Sequence, residues 1–267
     1  MSLLEVAITA RYHGKAPVLN DVRFSIEPGE SFGLIGESGA GKSTVALAVL
    51  NLLDWAGGRV TGYVRFAGQD LLVMRERELR RIRGRQIAYV PQSALASLNP
   101  ALSVGAHFRE TWRAHFPDGW AAARGRVFEL LERVNLPANL DFLNLRPREL
   151  SVGMAQRVAI ALALLHGPSL LIADEPSSAL DPVTQSEIMR LFRSANSTGM
   201  ALLYISHDLP SVAALCGRAA ILNAGRIVES GPCAEVLRVP AHPYARRLVE
   251  SIPPWPPPAW RSPISLR

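Results

Sequence analysis

The chain has 267 residues, 48% hydrophobic and 19% charged, enough apolar material for one large domain or two small ones. Its two cysteines, Cys216 and Cys233, lie far apart without ligand-like spacing, which argues against a disulfide framework and a cysteine-ligated cluster and points to a reducing compartment. A net charge of +6 suits anionic partners, but no long uncharged apolar stretch and no basic-then-apolar leader occur, so neither a spanning helix nor a signal peptide is expected.

Residues 3–35 read as β-rich, with apolar and polar residues alternating over 4–9 and again over 22–26. Tyr12 falls between these strands, and its ring suits either surface packing or stacking on a nucleobase. Pro28-Gly29-Glu30 turns the chain into an apolar strand over 32–35. That strand feeds Gly36-Glu37-Ser38-Gly39-Ala40-Gly41-Lys42-Ser43-Thr44, and a helix-prone run over 45–53 follows. The stretch fits G-x-x-x-x-G-K-[ST] at every fixed position, in the strand–loop–helix setting the motif needs. Its glycines let successive N–H groups turn inward on a phosphate, and the following helix adds its positive dipole end. Lys42 is expected to reach the β- and γ-phosphates of ATP, and Ser43 to hold Mg²⁺.

A strand over 60–66 follows Gly57-Gly58. The next helix, 74–82, begins an arginine-rich run: Arg75, Arg77, Arg80, Arg81, Arg83 and Arg85, interleaved with Glu76 and Glu78. Such a run reads as a solvated helix face or as a surface near lipid headgroups. Residues 87–90 form a buried strand stopped by Pro91, with Gln92 at its end. From about 94 to 165 the period becomes helical, with Val127, Leu130, Leu131 and Val134 on one face, which predicts a helical insertion. The strand pattern returns as a continuous apolar run at 170–173, ending in Asp174-Glu175. A helix over 182–193 leads to a strand over 201–205 that ends in Ser206-His207-Asp208. Two further elements, 218–222 and 226–229, flank Ala224-Gly225, and a helix over 244–251 precedes a Pro-rich tail, 252–267, expected to be extended and disordered.

A carboxylate at the end of a buried strand, downstream of a phosphate loop, suits Asp174 to Mg²⁺ and Glu175 to polarising an attacking water. Gln92 and His207 stand at two other strand ends, and ligands of doubly wound sheets bind outside the carboxyl ends of the strands. His207 is expected to reach the γ-phosphate, and Gln92 to reach Mg²⁺ or water through its amide oxygen. Leu150-Ser151-Val152-Gly153-Met154-Ala155-Gln156-Arg157 precedes a helix over 158–165. Ser151 suits the N-cap, and the helix start reads either as an ordinary capped end or as a second anion site.

These pieces, together with Ser178-Ala179-Leu180-Asp181, occur in the order found in nucleotide-binding subunits of ABC transporters, which the chain resembles over nearly its whole length. The resemblance implies an α/β fold: a RecA-like P-loop NTPase core over 1–251, with an N-terminal antiparallel β-subdomain and an α-helical subdomain inserted at about 94–165. It implies an ATPase with Glu175, His207 and Gln92 in catalysis and Ser43, Gln92 and Asp174 on Mg²⁺. The nucleotide contacts it implies are Tyr12, the 36–44 loop, Ser151, Gly153 and Asp181. It also implies a head-to-tail dimer that sandwiches two ATPs, each between one subunit's phosphate loop and the other's signature helix.

A finer resemblance, to the peptide/nickel importer group, rests on Pro91-Gln92 with Ser97-Leu98-Asn99-Pro100, on Ile205-Ser206-His207-Asp208-Leu209, and on Ala241-His242-Pro243-Tyr244-Ala245-Arg246. It implies a second, different ATP-binding subunit, two membrane permeases and an extracytoplasmic substrate-binding protein. The substrates it implies are di- or oligopeptides, nickel or metal chelates, and the location is the cytoplasmic face of the membrane. The length is closer to the nickel-type members, so the cysteine-rich extension of longer members is not expected. A competing reading is a soluble ABC-type ATPase acting on nucleic acid or ribosomes. Such proteins carry two such domains or a long coiled-coil insertion, and neither is seen, so no nucleic-acid partner is expected.

The signature departs from the group's pattern. Val152 stands where the first glycine is usual, and Ala155 replaces a longer polar residue. A valine resists positive φ, and its branched Cβ blocks close backbone approach. Since this stretch serves the partner's ATP, unequal sites in a heterodimer are expected.

Overall fold

The computed structural model describes residues 2–116, 119–178 and 180–251. The Pro-rich stretch 252–267 and Ala179 lie outside the described residues. In chain order the strands are β1 (Leu4–Tyr12), β2 (Pro17–Ile26), β3 (Ser31–Ile35), β4 (Gly58–Phe66), β5 (Gln69–Asp70), β6 (Ile87–Val90), β7 (Leu170–Asp174), β8 (Ala201–Ser206), β9 (Arg218–Asn223) and β10 (Arg226–Pro232). The helices are α1 (Lys42–Val49), α2 (Glu76–Ile82), α3 (Ala94–Ser97), α4 (Val104–Arg113), α5 (Trp120–Arg133), α6 (Leu140–Asn144), α7 (Val152–Leu164), α8 (Pro182–Ser197), α9 (Leu209–Leu215), α10 (Cys233–Arg238) and α11 (Pro243–Glu250).

Two sheets organise the chain. The first is antiparallel, in the order β2-β1-β4-β5. Along β1 the alternating Leu4, Val6, Ile8 and Ala10 are buried, and Leu4 pairs with Ile26 on one side and Phe66 on the other. The second sheet runs β10-β9-β3-β8-β7-β6, parallel from β9 to β6, with β10 antiparallel at the edge. Period-two alternation gives this sheet two buried faces. Leu170 and Ile172 face α1 and the antiparallel sheet, whereas Leu171 and Ala173 face the helical side. Helices α3–α7 lie between β6 and β7 in sequence, and their apolar residues share one cluster with that helical face.

Several element limits differ from the sequence reading. β1 runs on to Tyr12 and β2 starts at Pro17, because a register shift near Ile8 and Ala10, with Asp21 at φ 51°, breaks the simple alternation. α1 begins at Lys42 and stops at Val49, short of 53, because Asn51 turns to φ 49° and its side-chain amide donates to the Leu71 carbonyl. α2 begins at Glu76, since the Arg75 N–H is capped by the Glu78 carboxylate at 2.9 Å. α7 begins six residues earlier than expected, at Val152, and α8 continues to Ser197.

The arginine run divides into two kinds. The Arg83 side chain is 16% exposed; it pairs with Glu76 and donates to the carbonyls of Leu50 and Asn51, each at 2.7 Å. Arg80 also pairs with Glu76, and Arg85 lies over the Phe116 ring. Arg77 and Arg81, one helical turn apart on α2, are exposed and unpaired among the described residues.

Candidate functional site

β3 is an interior strand of the parallel sheet, bonded to β8 and β9. It delivers the loop at residues 36–41 to the carboxyl edge. Gly36 has no room for a side chain, since a Cβ there would lie 2.5 Å from the Leu222 carbonyl oxygen. Gly41 holds φ 105°, and a Cβ would meet Leu19 at 2.7 Å. Only glycine meets both demands, so the loop curls tightly into α1. The first turn of α1 carries no acidic residue and no side-chain cap, which leaves its N–H groups and dipole for an anion.

Lys42 is buried. Its Nζ donates to the carbonyls of Gly36 at 2.8 Å and Glu37 at 3.1 Å, and pairs with Glu175 Oε1 at 3.2 Å. The loop opens on a cavity of about 260 Å³ that brings together Ser38, Gly39, Gly41, Lys42, Ser43, Thr44, Gln92 and Glu175, with Val18 added from β2. Tyr12 stands beside this wall: its hydroxyl is 3.4 Å from the Thr44 hydroxyl, though its ring does not line the cavity.

The parallel register explains the convergence. Ile35 pairs with Ser206, Asp174 with Ile205 and Val90 with Ala173, so the four strands end at one level. Asp174 is the buried last residue of β7. The Tyr89 hydroxyl donates to its Oδ2 at 3.2 Å, while Oδ1 has no hydrogen-bond partner. Burial raises the Asp174 carboxyl above the ordinary carboxylate range, with the Ser43 and Tyr89 hydroxyls acting against it. Burial and the adjacent Asp174 charge together push the Tyr89 phenol up, so it remains a donor. An unsatisfied buried carboxylate oxygen at the end of β7, with the Ser43 hydroxyl and the Gln92 amide in the adjoining cavity wall, offers oxygen donors of the kind hard divalent cations take.

Glu175 adopts φ 47°, a left-handed conformation that costs a non-glycine residue about 1–2 kcal/mol. It is held there by its N–H donating to the Ile205 carbonyl at 2.8 Å. The turn aims the carboxylate back over the loop, with Oε1 on Lys42 and Oε2 2.7 Å from His207 Nδ1. His207 is half exposed and also lines a second cavity of about 360 Å³ with Ser178, Gln185 and Asp208.

The signature stretch lies elsewhere. Ser151 caps α7, accepting from the Met154 N–H at 3.2 Å. Val152 is the first helical residue, 49% exposed, and is not among the residues with positive φ. The expectation that this position demands positive φ is therefore corrected; what remains is an exposed branched Cβ at a helix start. Ala155 is fully buried. A Cβ at Gly153 would lie 3.7 Å from Leu180 and 3.9 Å from Thr184, which packs this end of α7 against the start of α8. Asp181 caps α8, accepting from the N–H groups of Val183 and Thr184 and from the Thr184 hydroxyl, and these bonds lower its carboxyl. Ser151, Gly153 and Asp181 do not line the Lys42 cavity.

Sequence reasoning missed Tyr89 and Val18. The signal for Tyr89 was available: a lone hydroxyl in the otherwise apolar run Ile87-Ala88-Tyr89-Val90 needs a buried partner. Val18 carried none.

The comparisons with known proteins agree with this geometry. The family model described as ABC transporter matches residues 19–178. A protein of Brucella abortus named as a peptide import ATP-binding protein is 42% identical over 236 residues, covering 88% of this chain and 71% of that one. An Escherichia coli protein named for D,D-dipeptide transport is 39% identical, covering 91% of this chain and 74% of that protein. The oligopeptide transport ATP-binding protein of Bacillus subtilis is 37% identical over 95% of this chain and 72% of its own length. Among solved structures, a dimeric ATP-binding cassette in a post-hydrolysis state with ADP and Pi superposes with a TM-score of 0.75 at 28% identity, covering 87% of this chain and 99% of that chain. With the strand ends converging on one phosphate loop and the family model spanning more than half its length, this chain belongs to the ABC transporter family.

Proposed function

We propose that this chain is the ATP-hydrolysing subunit of a peptide importer, working at the cytoplasmic face of a membrane beside separate permease subunits. The observation that carries the reading is the Glu175 carboxylate held between Lys42 and His207 at the mouth of the phosphate loop. In this reading ATP enters with its phosphates on the N–H groups of residues 36–44 and its base beside Tyr12. The γ-phosphate takes over Lys42 and releases Glu175 Oε1. Glu175 then accepts a proton from the water that attacks the γ-phosphorus, and the bond to the ADP oxygen breaks. His207 keeps the carboxylate oriented through Oε2 and reaches toward the γ-phosphate. Mg²⁺ fits Ser43, Gln92 and Asp174, whose Oδ1 lacks any other partner, and when bound it supplies positive charge to the phosphate oxygens.

Ser151, Gly153 and Asp181 are assigned to the ATP held by a second, different ATP-binding subunit. That solved cassettes of this fold are dimeric supports pairing with a second subunit. Residues 94–165 are read as a helical subdomain. Between it and the core lies a groove of about 410 Å³, lined mostly by apolar surface from Ala88, Pro91, Leu98, Ala159 and Leu162, with Gly84 at one end. We assign it to an apolar segment of the permease, because Pro91 adjoins Gln92 and transmits its position to the ATP site. The named relatives favour peptides over nickel or chelates, with an extracytoplasmic binding protein delivering them.

The test is reconstitution with the permeases, the second ATPase and the binding protein in vesicles. ATP hydrolysis is expected to rise when the binding protein carries peptide. Stimulation by nickel or chelates instead, or hydrolysis indifferent to permease, overturns the reading.

A further inference from the structure

The arginine run is the one sequence motif that the ATP site leaves unused. We propose that the corner formed by Trp55, Val73 and the outer face of α2 rests on the anionic phospholipid headgroups that surround the permease; its orientation rests on the permease seat proposed above.

Three hydrogen bonds gather this corner. The Asn51 side-chain amide donates to the Leu71 carbonyl at 2.9 Å, and Arg83 donates to the Leu50 and Asn51 carbonyls. They tie α2 and the approach to it onto the end of α1. Each tied strand of chain then presents a large apolar side chain to solvent. Trp55 is 78% exposed in the short helical turn Asp54–Ala56, directly after the buried Leu53. Val73 is 80% exposed two residues after the buried Leu71.

Arg77 and Arg81 stand on the outer face of α2, which is tied to the same end of α1. Glu76 is already engaged by Arg80 and Arg83, and Glu78 caps the Arg75 N–H, so the carboxylates of α2 are committed, and Asp54 beside Trp55 is the exposed carboxylate set against Arg77 and Arg81. Two like charges one helical turn apart repel within the helix, so an anionic surface is their natural counterpart. An exposed indole and unpaired guanidinium groups on segments tied to one helix end match a headgroup layer: the ring would sit at the apolar–polar boundary and the guanidinium forks would meet phosphodiester oxygens. The corner is also continuous with the groove assigned to the permease, because Gly84 follows α2 and lines that groove.

The contact is weak by itself, each cation contributing roughly five-fold in affinity at an anionic surface. It acts by adding to a permease contact already made.

The experiment uses the full chain without permease, in flotation with phosphatidylcholine vesicles and with vesicles that also contain phosphatidylglycerol. Binding is expected only with phosphatidylglycerol, and to fall with added salt. The Arg77→Glu/Arg81→Glu variant is expected to lose about 25-fold or more in vesicle affinity. Trp55→Ala is expected to weaken binding while ATP affinity stays unchanged in both variants. Equal binding to both vesicle types, absence of binding, or wild-type binding by the double variant overturns the proposal. So does loss of permease assembly by these variants in lipid-free detergent, which would make the corner a protein contact. If vesicle binding fails while the chain still assembles with permease, only this inference falls; if it holds while assembly fails, the importer reading falls instead.

Discussion

Glu175→Gln separates positioning from proton transfer at the site. The substitution keeps shape and one acceptor oxygen but removes the charge. Two contacts change: the ion pair to Lys42 at 3.2 Å and the bond to His207 at 2.7 Å. Deleting one member of a buried ion pair typically costs about 3–5 kcal/mol, because the other charge is left unpaired. Lys42 keeps the carbonyls of Gly36 and Glu37, so the expected loss without nucleotide is smaller, about 2–3 kcal/mol. For a chain of this size that lowers the melting midpoint by roughly 5–10 °C.

Nucleotide reverses the sign. In the variant Lys42 is no longer shared with a carboxylate, so ATP affinity is expected to hold or to rise up to about ten-fold. Hydrolysis loses its base and is expected to fall on the order of 100- to 10,000-fold. The assay is single-turnover hydrolysis in the assembled complex, with nucleotide affinity and melting followed in parallel. Turnover within a few-fold of the unmodified protein would refute the assignment of Glu175 as base. Affinity falling in step with rate would refute the exchange of Glu175 for phosphate at Lys42.

Asp174→Asn is expected to raise the melting midpoint without nucleotide by a few degrees and to abolish the further Mg²⁺–ATP stabilisation. The sign follows from the raised carboxyl: a group pushed up on folding stabilises below its unfolded pKa and loses that contribution as pH rises through the folded value, so at neutral pH the ionised Asp174 is a liability until a cation meets it. Tyr89→Phe removes one donor to that charge and is expected to weaken Mn²⁺ binding in the presence of ATP by roughly ten-fold, read by EPR titration. It should also move the acid limb of that binding to higher pH, since Tyr89 acts against the effect of burial. Arg83→Ala is expected to cost about 2–4 kcal/mol in chemical denaturation, because the Leu50 and Asn51 carbonyls lose their donor. Val152→Gly is expected to leave melting within about 1 kcal/mol and to raise ATP turnover of the assembled complex; unchanged turnover and occlusion would clear Val152 of any effect on the partner's site.

What the sequence made legible was whatever backbone chemistry forces on residue choice. The 36–44 loop could be read because glycine at 36 and 41 answers a lack of space and a positive φ that no other residue tolerates. The run at 170–173 could be read because a strand buried on both faces has no polar period. What stayed hidden depends on partners distant in sequence. Nothing local separates Arg83, which holds the end of α1, from Arg77, which holds nothing among the described residues. The end of α1 at Val49 depends on Leu71, twenty residues on, bonding Asn51. Val152 misled in another way: glycine at a position was taken to mean positive φ, whereas the backbone there is the ordinary start of a helix with its side chain exposed.

The Lys42 contacts bear on how the proposed base would be freed. A buried lysine needs partners, and here each is internal: two loop carbonyls and the very carboxylate assigned as base. While Lys42 holds Oε1, that oxygen is a poor proton acceptor, because its lone pairs face a cation. In the proposed reaction the γ-phosphate replaces Oε1 as the counter-charge to Lys42, and Glu175 keeps its contact with His207 through Oε2. The strained φ of Glu175 matters at this step. Fixed by the bond from its N–H to the Ile205 carbonyl, the backbone keeps the freed carboxylate over the loop instead of letting it follow solvent. The helix start carrying Ser151 and Gly153 packs against α8 and does not line this chain's own cavity, which is consistent with the proposed role of that stretch toward a second subunit's ATP.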